Sequence, residues 1–323
     1  MTRFYILSAA LLTLTGCNQI TFDAVLQDAP EGGFWSAWGP SPEDIWIVGG
    51  QADAGVVMRG SDDTFTAMEI PENIPLLNWI HGTSSSDVWV GGLSGTLLHF
   101  DGNDWTDHSI ETEEAFWGVY AVSPDEAYAV GGRSGWGGSQ RLALRFNGDS
   151  WSHLELPQSL DALPSLFKVH HDGQDVWMVG AEGTVLVGNG DTFEALPSGV
   201  ALDISTVHSR GDGEVVMVGG RETGIVLQGT RSGGVAQIAQ TPSRLFGVHV
   251  LDSGDILLGG MRGYLGHMTL IDPEIENLQT PTDQLLHAIY GNNDAEVYAV
   301  GGNIGSITSD FTGTILRARA PKK

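Results

Sequence analysis

Asp44-Ile45-Trp46-Ile47-Val48-Gly49-Gly50 decides the fold, because the same phrase returns as Asp87-Val88-Trp89-Val90-Gly91-Gly92 and then along the whole chain. The later copies are Glu126-Ala127-Tyr128-Ala129-Val130-Gly131-Gly132, Asp175-Val176-Trp177-Met178-Val179-Gly180 and Glu214-Val215-Val216-Met217-Val218-Gly219-Gly220. The last two are Asp255-Ile256-Leu257-Leu258-Gly259-Gly260 and Glu296-Val297-Tyr298-Ala299-Val300-Gly301-Gly302. An acidic residue, a short apolar or aromatic run and a glycine, repeated about every 40 residues, is the period of a propeller blade. Copies two and six are one residue shorter before the second glycine. Their register is therefore not set by the glycine pair alone.

The flanking residues complete each unit. Short runs rich in β-branched and aromatic residues are separated by Gly, Asn and Asp, with no helix-length amphipathic pattern, so each unit reads as four short strands. The first strand carries pairs such as Ile80-His81, Val169-His170 and Val248-His249, and the second is the phrase itself. The third follows the glycines, as in Thr96-Leu97-Leu98-His99-Phe100. Asp101-Gly102, Asn147-Gly148 and Asn189-Gly190 then suit hairpin turns with positive φ at both central positions.

The two ends of the chain fit together. Thr21-Phe22-Asp23-Ala24 resembles the fourth strands beginning Thr64-Phe65-Thr66-Ala67 and Thr192-Phe193-Glu194-Ala195, yet it has no blade of its own, and the seventh unit ends after its third strand. The expected fold is all-β: a single seven-bladed β-propeller of four-stranded antiparallel blades, with an N-terminal strand closing the last blade and removing exposed sheet edges. The expected blades run about 34–71, 76–110, 115–156, 165–197, 203–240, 244–279 and 285–319 plus 21–28. Two units carry insertions after the phrase, Arg133 to Gln140 and Asn303 to Thr312.

The repeat resembles the seven-bladed propellers of the photosystem II assembly-factor type and the wider BNR and YVTN repeat group. The resemblance implies the fold, and it brings in an assembly factor for a membrane protein complex as one possible role. It settles little else, because propellers host binding, scaffolding and catalysis alike. The Ser-x-Asp-x-Gly-x-Thr-Trp turn of true Asp-boxes is missing from this sequence, which weakens a sialidase reading.

Ahead of the repeats, Arg3 precedes an apolar run from Phe4 to Leu12, the pattern of an export signal and too short to span a bilayer. Leu14-Thr15-Gly16-Cys17 resembles the lipobox of bacterial lipoproteins. The resemblance implies cleavage after residue 16, lipidation of Cys17 with acyl chains such as palmitate, and, since Asn18 rather than aspartate follows, sorting to an outer membrane. The expected organisation is a signal peptide over 1–16 and a tethered propeller over 17–323, in contact with the membrane through its N-terminal lipid only. Cys17 is the single cysteine, so internal disulfides and multi-thiolate metal sites are excluded.

With 15 basic against 40 acidic residues and a formal net charge of −25, the chain repels phosphate backbones and anionic lipid surfaces. Nucleic acid is not an expected partner, and the charge favours a soluble, monomeric body.

Three sets of residues are candidates for function. Trp38, His81, Tyr120, His170, His208, His249 and Tyr290 align on the innermost strand and should ring the axis. Four histidines in one ring suit a metal or a proton relay, but packing between blades with ring nitrogens on backbone is the expected role. The acidic turns around Asp44, Asp125, Asp172 and Asp212 suit Asx-type turn chemistry; calcium is the alternative, although no stretch has a full calcium-loop spacing. Arg133, Arg221 and Arg262 follow the glycines of three blades and, with Trp136, form the expected ligand-binding set, since guanidinium groups recognise carboxylate or phosphate and an indole stacks on a sugar or peptide.

No nucleophile elbow, phosphate-cradling loop or His-Glu-x-x-His motif occurs. No catalytic residue, cofactor or metal is therefore expected. The expected role is non-enzymatic binding or scaffolding of a protein or glycan partner; a hydrolase or lyase acting on acidic glycans is the alternative.

Overall fold

The computed structural model describes residues 20–132, 141–157, 165–292, 296–304 and 310–319. Seven four-stranded antiparallel sheets follow one another along the chain. Their innermost strands, called A here, are Gly33–Ser41, Leu77–Ser84, Ala115–Ser123, Leu166–His171, Ile204–His208, Leu245–Val250 and Leu285–Asn292 for blades 1 to 7. The repeated phrase forms the second strand, B, in every blade, with C and D outside it.

The glycine of the phrase has a steric cause. Each strand A carries a β-bulge, at Trp35, Asn78, Trp117, Phe167, Ser205, Phe246 and His287. Two residues before each bulge, a carbonyl at or just ahead of the start of strand A lies against strand B. A Cβ at Gly49, Gly131, Gly219 or Gly301 would sit 1.8–2.0 Å from that oxygen, and at Gly92, Gly180 or Gly260 2.3–2.7 Å. Only glycine fits such a backbone approach. The register also resolves the short phrases: Gly92 pairs with Leu77 as Gly49 pairs with Phe34, so the second glycine of blades 2 and 6 takes the place of the first glycine elsewhere.

The hairpins between C and D differ from expectation. Gly102, Gly148 and Gly190 have positive φ, but Asp101, Asn147 and Asn189 do not. In blades 2 and 3 the strands close at Phe100–Trp105 and Phe146–Trp151, which leaves four-residue loops. Asp101 Oδ1 accepts hydrogen bonds from the backbone of Asn103 and Asp104, and Asn147 Oδ1 does the same for Asp149 and Ser150. The side chain thus supplies the turn, and the pair is an Asx turn rather than the centre of a two-residue hairpin.

The apolar core is annular. Seven buried clusters lie one at each blade–blade interface, for example Trp46, Val48, Ile80 and Val90 between blades 1 and 2. The strand Phe22–Ala29 pairs antiparallel with Thr312–Arg319 as the outermost strand of blade 7, with Phe22 opposite Ala318. Phe22 is buried in the cluster between blades 6 and 7, so the ring is closed by sheet pairing and by packing. No helix among the described residues is long and apolar enough to cross a membrane.

Candidate functional site: the two ends of the axial bore

Strand A begins at the face that carries the D-to-A connections and B-to-C turns, here the top, and ends at the bottom face of A-to-B turns. The bore is therefore lined in tiers by equivalent positions of the seven A strands.

The lower tier is the aromatic ring. Successive centroids lie 5.7 Å apart for Trp38–His81, 3.8 Å for His81–Tyr120, 4.9 Å for Tyr120–His170, 4.6 Å for His170–His208, 4.0 Å for His208–His249 and 5.7 Å for His249–Tyr290. The four histidines and Tyr290 each reach one residue beyond the ring in the next blade. His81 Nδ1 accepts from the Ala121 N–H at 3.2 Å, His170 Nε2 from Ser209 at 3.0 Å and His208 Nδ1 from Val250 at 3.1 Å. His249 bonds the backbone of Gly291, and the Tyr290 hydroxyl donates to the Gly39 carbonyl. At Gly82 there is no room for a Cβ, because the Asp87 carbonyl oxygen lies 2.3 Å and the Trp38 ring edge 2.9 Å from where it would be.

Nitrogens that accept backbone N–H bonds must be unprotonated. Burial lowers the pKa of His81 and His249 to about 3 and of His170 to about 4, and takes His208 well below 6.5, with repulsion from neighbouring histidines adding to it at His81, His208 and His249. These histidines are neutral inter-blade clips. Below them a cavity of about 420 Å³ opens on the bottom face, floored by Tyr120, His208, His249 and Tyr290.

The upper end of the bore has a different chemistry. Trp35, Trp79, Trp117, Phe167 and Phe246 are half-buried there, and Trp35 of blade 1 meets Trp117 of blade 3 at 6.4 Å and His287 of blade 7 at 4.6 Å. Lys168, 5 % exposed, extends from blade 4 across to blades 2 and 3, with Nζ 4.2 Å from the Trp79 ring centroid and donating to the Trp117 carbonyl at 2.8 Å. Burial alone pushes its pKa down to about 7. His287, pushed by burial to about 3, is further lowered by Lys168 and Arg244. Arg244 stacks over Phe246 at 4.7 Å, pairs with Asp203 at 3.4 Å and feels Arg221.

Of the arginine set, Arg221 and Arg262 are exposed on the B-to-C turns of blades 5 and 6, and Arg262 has φ of +59°. Arg133 and Trp136 lie outside the described residues, as do Cys17 and the signal segment. Arg244 and Lys168 were not singled out by sequence reasoning. Their signal was faint: Lys168 is the single lysine before the terminal pair Lys322 and Lys323.

The acidic residue that opens each phrase has a use the sequence did not show. In five blades it meets a strand C partner at fixed register: Asp44 with Arg59 at 2.6 Å, Asp87 with His99 at 2.7 Å, Glu126 with Arg145 at 3.0 Å, Glu214 with Gln228 at 2.5 Å and Asp255 with His267 at 2.7 Å, whereas Asp175 pairs with Arg231 of blade 5 at 2.5 Å. Burial raises the pKa of Asp44, Asp87 and Asp255, but the hydrogen bonds from these partners outweigh it and the net shift is downward. Thr83 and Ser253 bond Asp87 and Asp255 rather than the histidines, so neither cluster is a hydroxyl–histidine nucleophile pair. Among the described residues no cluster of three or more acidic, His or Cys side chains is arranged for a metal.

No family model and no curated protein matches the chain. Solved propellers do. A virginiamycin B lyase from Staphylococcus aureus superposes with a TM-score of 0.72 at 11% identity, over 93% of this chain and 99% of that one. A structure described as YCF48 bound to D1 peptide gives 0.68 at 12%, over 93% and 97%, and the WD40 propeller of Doa1 gives 0.68 at 10%, over 94% and 97%. At these identities the likeness is one of fold.

Proposed function

We propose that this chain is a lipid-anchored envelope protein whose propeller binds a protein or peptide partner at the top of its bore. The carrying observation is the mouth itself, where Trp35, Trp79 and Trp117 converge, part-exposed, from three blades beside Arg244 and Arg221. Part-exposed indoles beside arginine are the composition of a binding hot spot. The bottom ring differs, because its polar atoms are spent on joining blades. That structurally similar propellers include one holding a peptide supports the same reading. Arg262 on the same face, and Arg133 and Trp136 of the third-blade insertion, are assigned to the rim of this surface, and Cys17 to the acyl anchor.

The test is a crosslinking pull-down of the full chain from native membranes, beside Trp35→Ala/Trp117→Ala and Arg133→Ala/Arg221→Ala/Arg262→Ala variants. One stoichiometric protein partner, lost with the tryptophan pair, is expected. Equal capture by the tryptophan variant, or capture of glycan alone, overturns the reading. Cys17→Ser is expected to release the chain from membranes and abolish acyl incorporation.

A further inference from the structure

Lys168 is a buried cation without a carboxylate. Its pKa is moved by burial only, with no contribution from an acidic group, although the chain carries 40 of them. The groups at this end of the bore that sense one another are basic: Lys168, His287, Arg244 and Arg221, with Asp203 on Arg244 as the acidic exception. A buried charge normally has a partner, because desolvating it costs several kcal/mol, roughly, that a stacked ring and one carbonyl offset in part.

Polar atoms of the same two tiers are also unpartnered. Trp35 Nε1, Ser36 Oγ, Asn78 Oδ1 and Ser205 Oγ are buried without a hydrogen bond, and Ser36, Asn78 and Ser205 are 0%, 1% and 8% exposed. Trp35, Asn78 and Ser205 are bulge residues of blades 1, 2 and 5, and Ser36 is the blade 1 equivalent of Lys168. Buried polar groups without a partner call for an occupant. Most of them are donors, which suits an acceptor-only group.

We propose that the top of the bore is a carboxylate site, in which Lys168 receives the carboxylate of an inserted peptide while Trp35, Trp79 and Trp117 cover the adjoining apolar group. This rests on the binding reading above and names the chemistry of the ligand. Both a chain terminus and an acidic side chain present that chemistry. A charge-assisted bond in this dry setting is stronger than one at the surface, and the carboxylate stabilises the protonated amine, so the Lys168 pKa rises on binding.

The experiment uses the full chain with ¹³Cε-lysine, which gives signals from Lys168, Lys322 and Lys323 alone. The probes are N-acetylphenylalanine, its neutral amide, and N-acetyl-glutamyl-phenylalanine amide. The Lys168 signal is expected to move with one or both carboxylates and not with the neutral amide, and its titration midpoint to rise by at least one pH unit, equivalent to at least tenfold tighter binding to the protonated form. Response to the first probe alone assigns a chain terminus; response to the third assigns a side chain. No movement at millimolar probe, or equal movement with the neutral amide, overturns the site. Lys168→Met, matched in length and apolar, is expected to fold and to lose affinity for the responsive probe at least tenfold. If Lys168→Met still captures the membrane partner that the tryptophan variant loses, the binding reading stands and the carboxylate site does not.

Discussion

His208 Nδ1 accepts the backbone N–H of Val250 in the next blade at 3.1 Å. This bond and its equivalents at His81, His170, His249 and Tyr290 couple neighbouring blades at the floor of the bore. Replacement by alanine orphans a buried donor, which costs about 1–3 kcal/mol. His208→Ala is expected to lower the urea midpoint accordingly, and His208→Asn, whose amide oxygen keeps an acceptor near the same place, to recover most of the loss.

The same histidines set the acid limit of the fold. His81, His170, His249 and His287 are held neutral by burial, with pKa values of about 3 to 4, and burial takes His208 well below 6.5, while the unfolded chain protonates them near 6.5. Between pH 6.5 and about 4 the unfolded state therefore binds more protons, and stability falls as pH falls. The contribution is complete above pH 6.5. The slope is at most about 1.4 kcal/mol per pH unit for each histidine, and less for His81 and His208, which are half-buried. Urea unfolding at pH 7.5, 6 and 5 checks this; a midpoint unchanged or rising towards pH 5 contradicts it.

The motif glycine should resist even one methyl group. A Cβ at Gly131 falls 1.9 Å from the Ala115 carbonyl, and the clash is with backbone. Gly131→Ala is expected to cost about 3 kcal/mol or more. Ala129→Gly, two residues earlier in the same buried strand, is the control, with an expected loss of about 1 kcal/mol. Equal losses in thermal melting would show that the bulge yields.

Ring closure depends on the first described strand. Phe22 is 5% exposed and opposite Ala318, so Phe22→Ala is expected to cost about 3 kcal/mol. Hydrogen exchange should then rise first in Thr312–Arg319, the strand it seals. Uniform loss of protection in all seven blades would place the weak point elsewhere.

The sequence by itself determined the fold: a phrase with fixed period, strands too short and too regularly interrupted for helix, and a homeless strand at Phe22 that matches the missing place in blade 7. These are local or periodic signals, and strand alternation carries them. It also placed the seven aromatic and histidine residues on one strand position, so that their ring followed from counting. The sequence does not show that Asp101-Gly102 and Asn147-Gly148 form Asx turns, because a side-chain oxygen in a four-residue loop competes with the backbone turn and composition does not separate the two. The tertiary structure alone decided which groups meet. Lys168 lies against Trp79 and Trp117, more than 50 residues earlier in the chain, and Arg244 lies on Phe246 beside Asp203. Blade closure brings equivalent positions of seven strands to one axis, and the chemistry at each tier depends on which side chains happen to fill it, a relation that no spacing along the chain expresses.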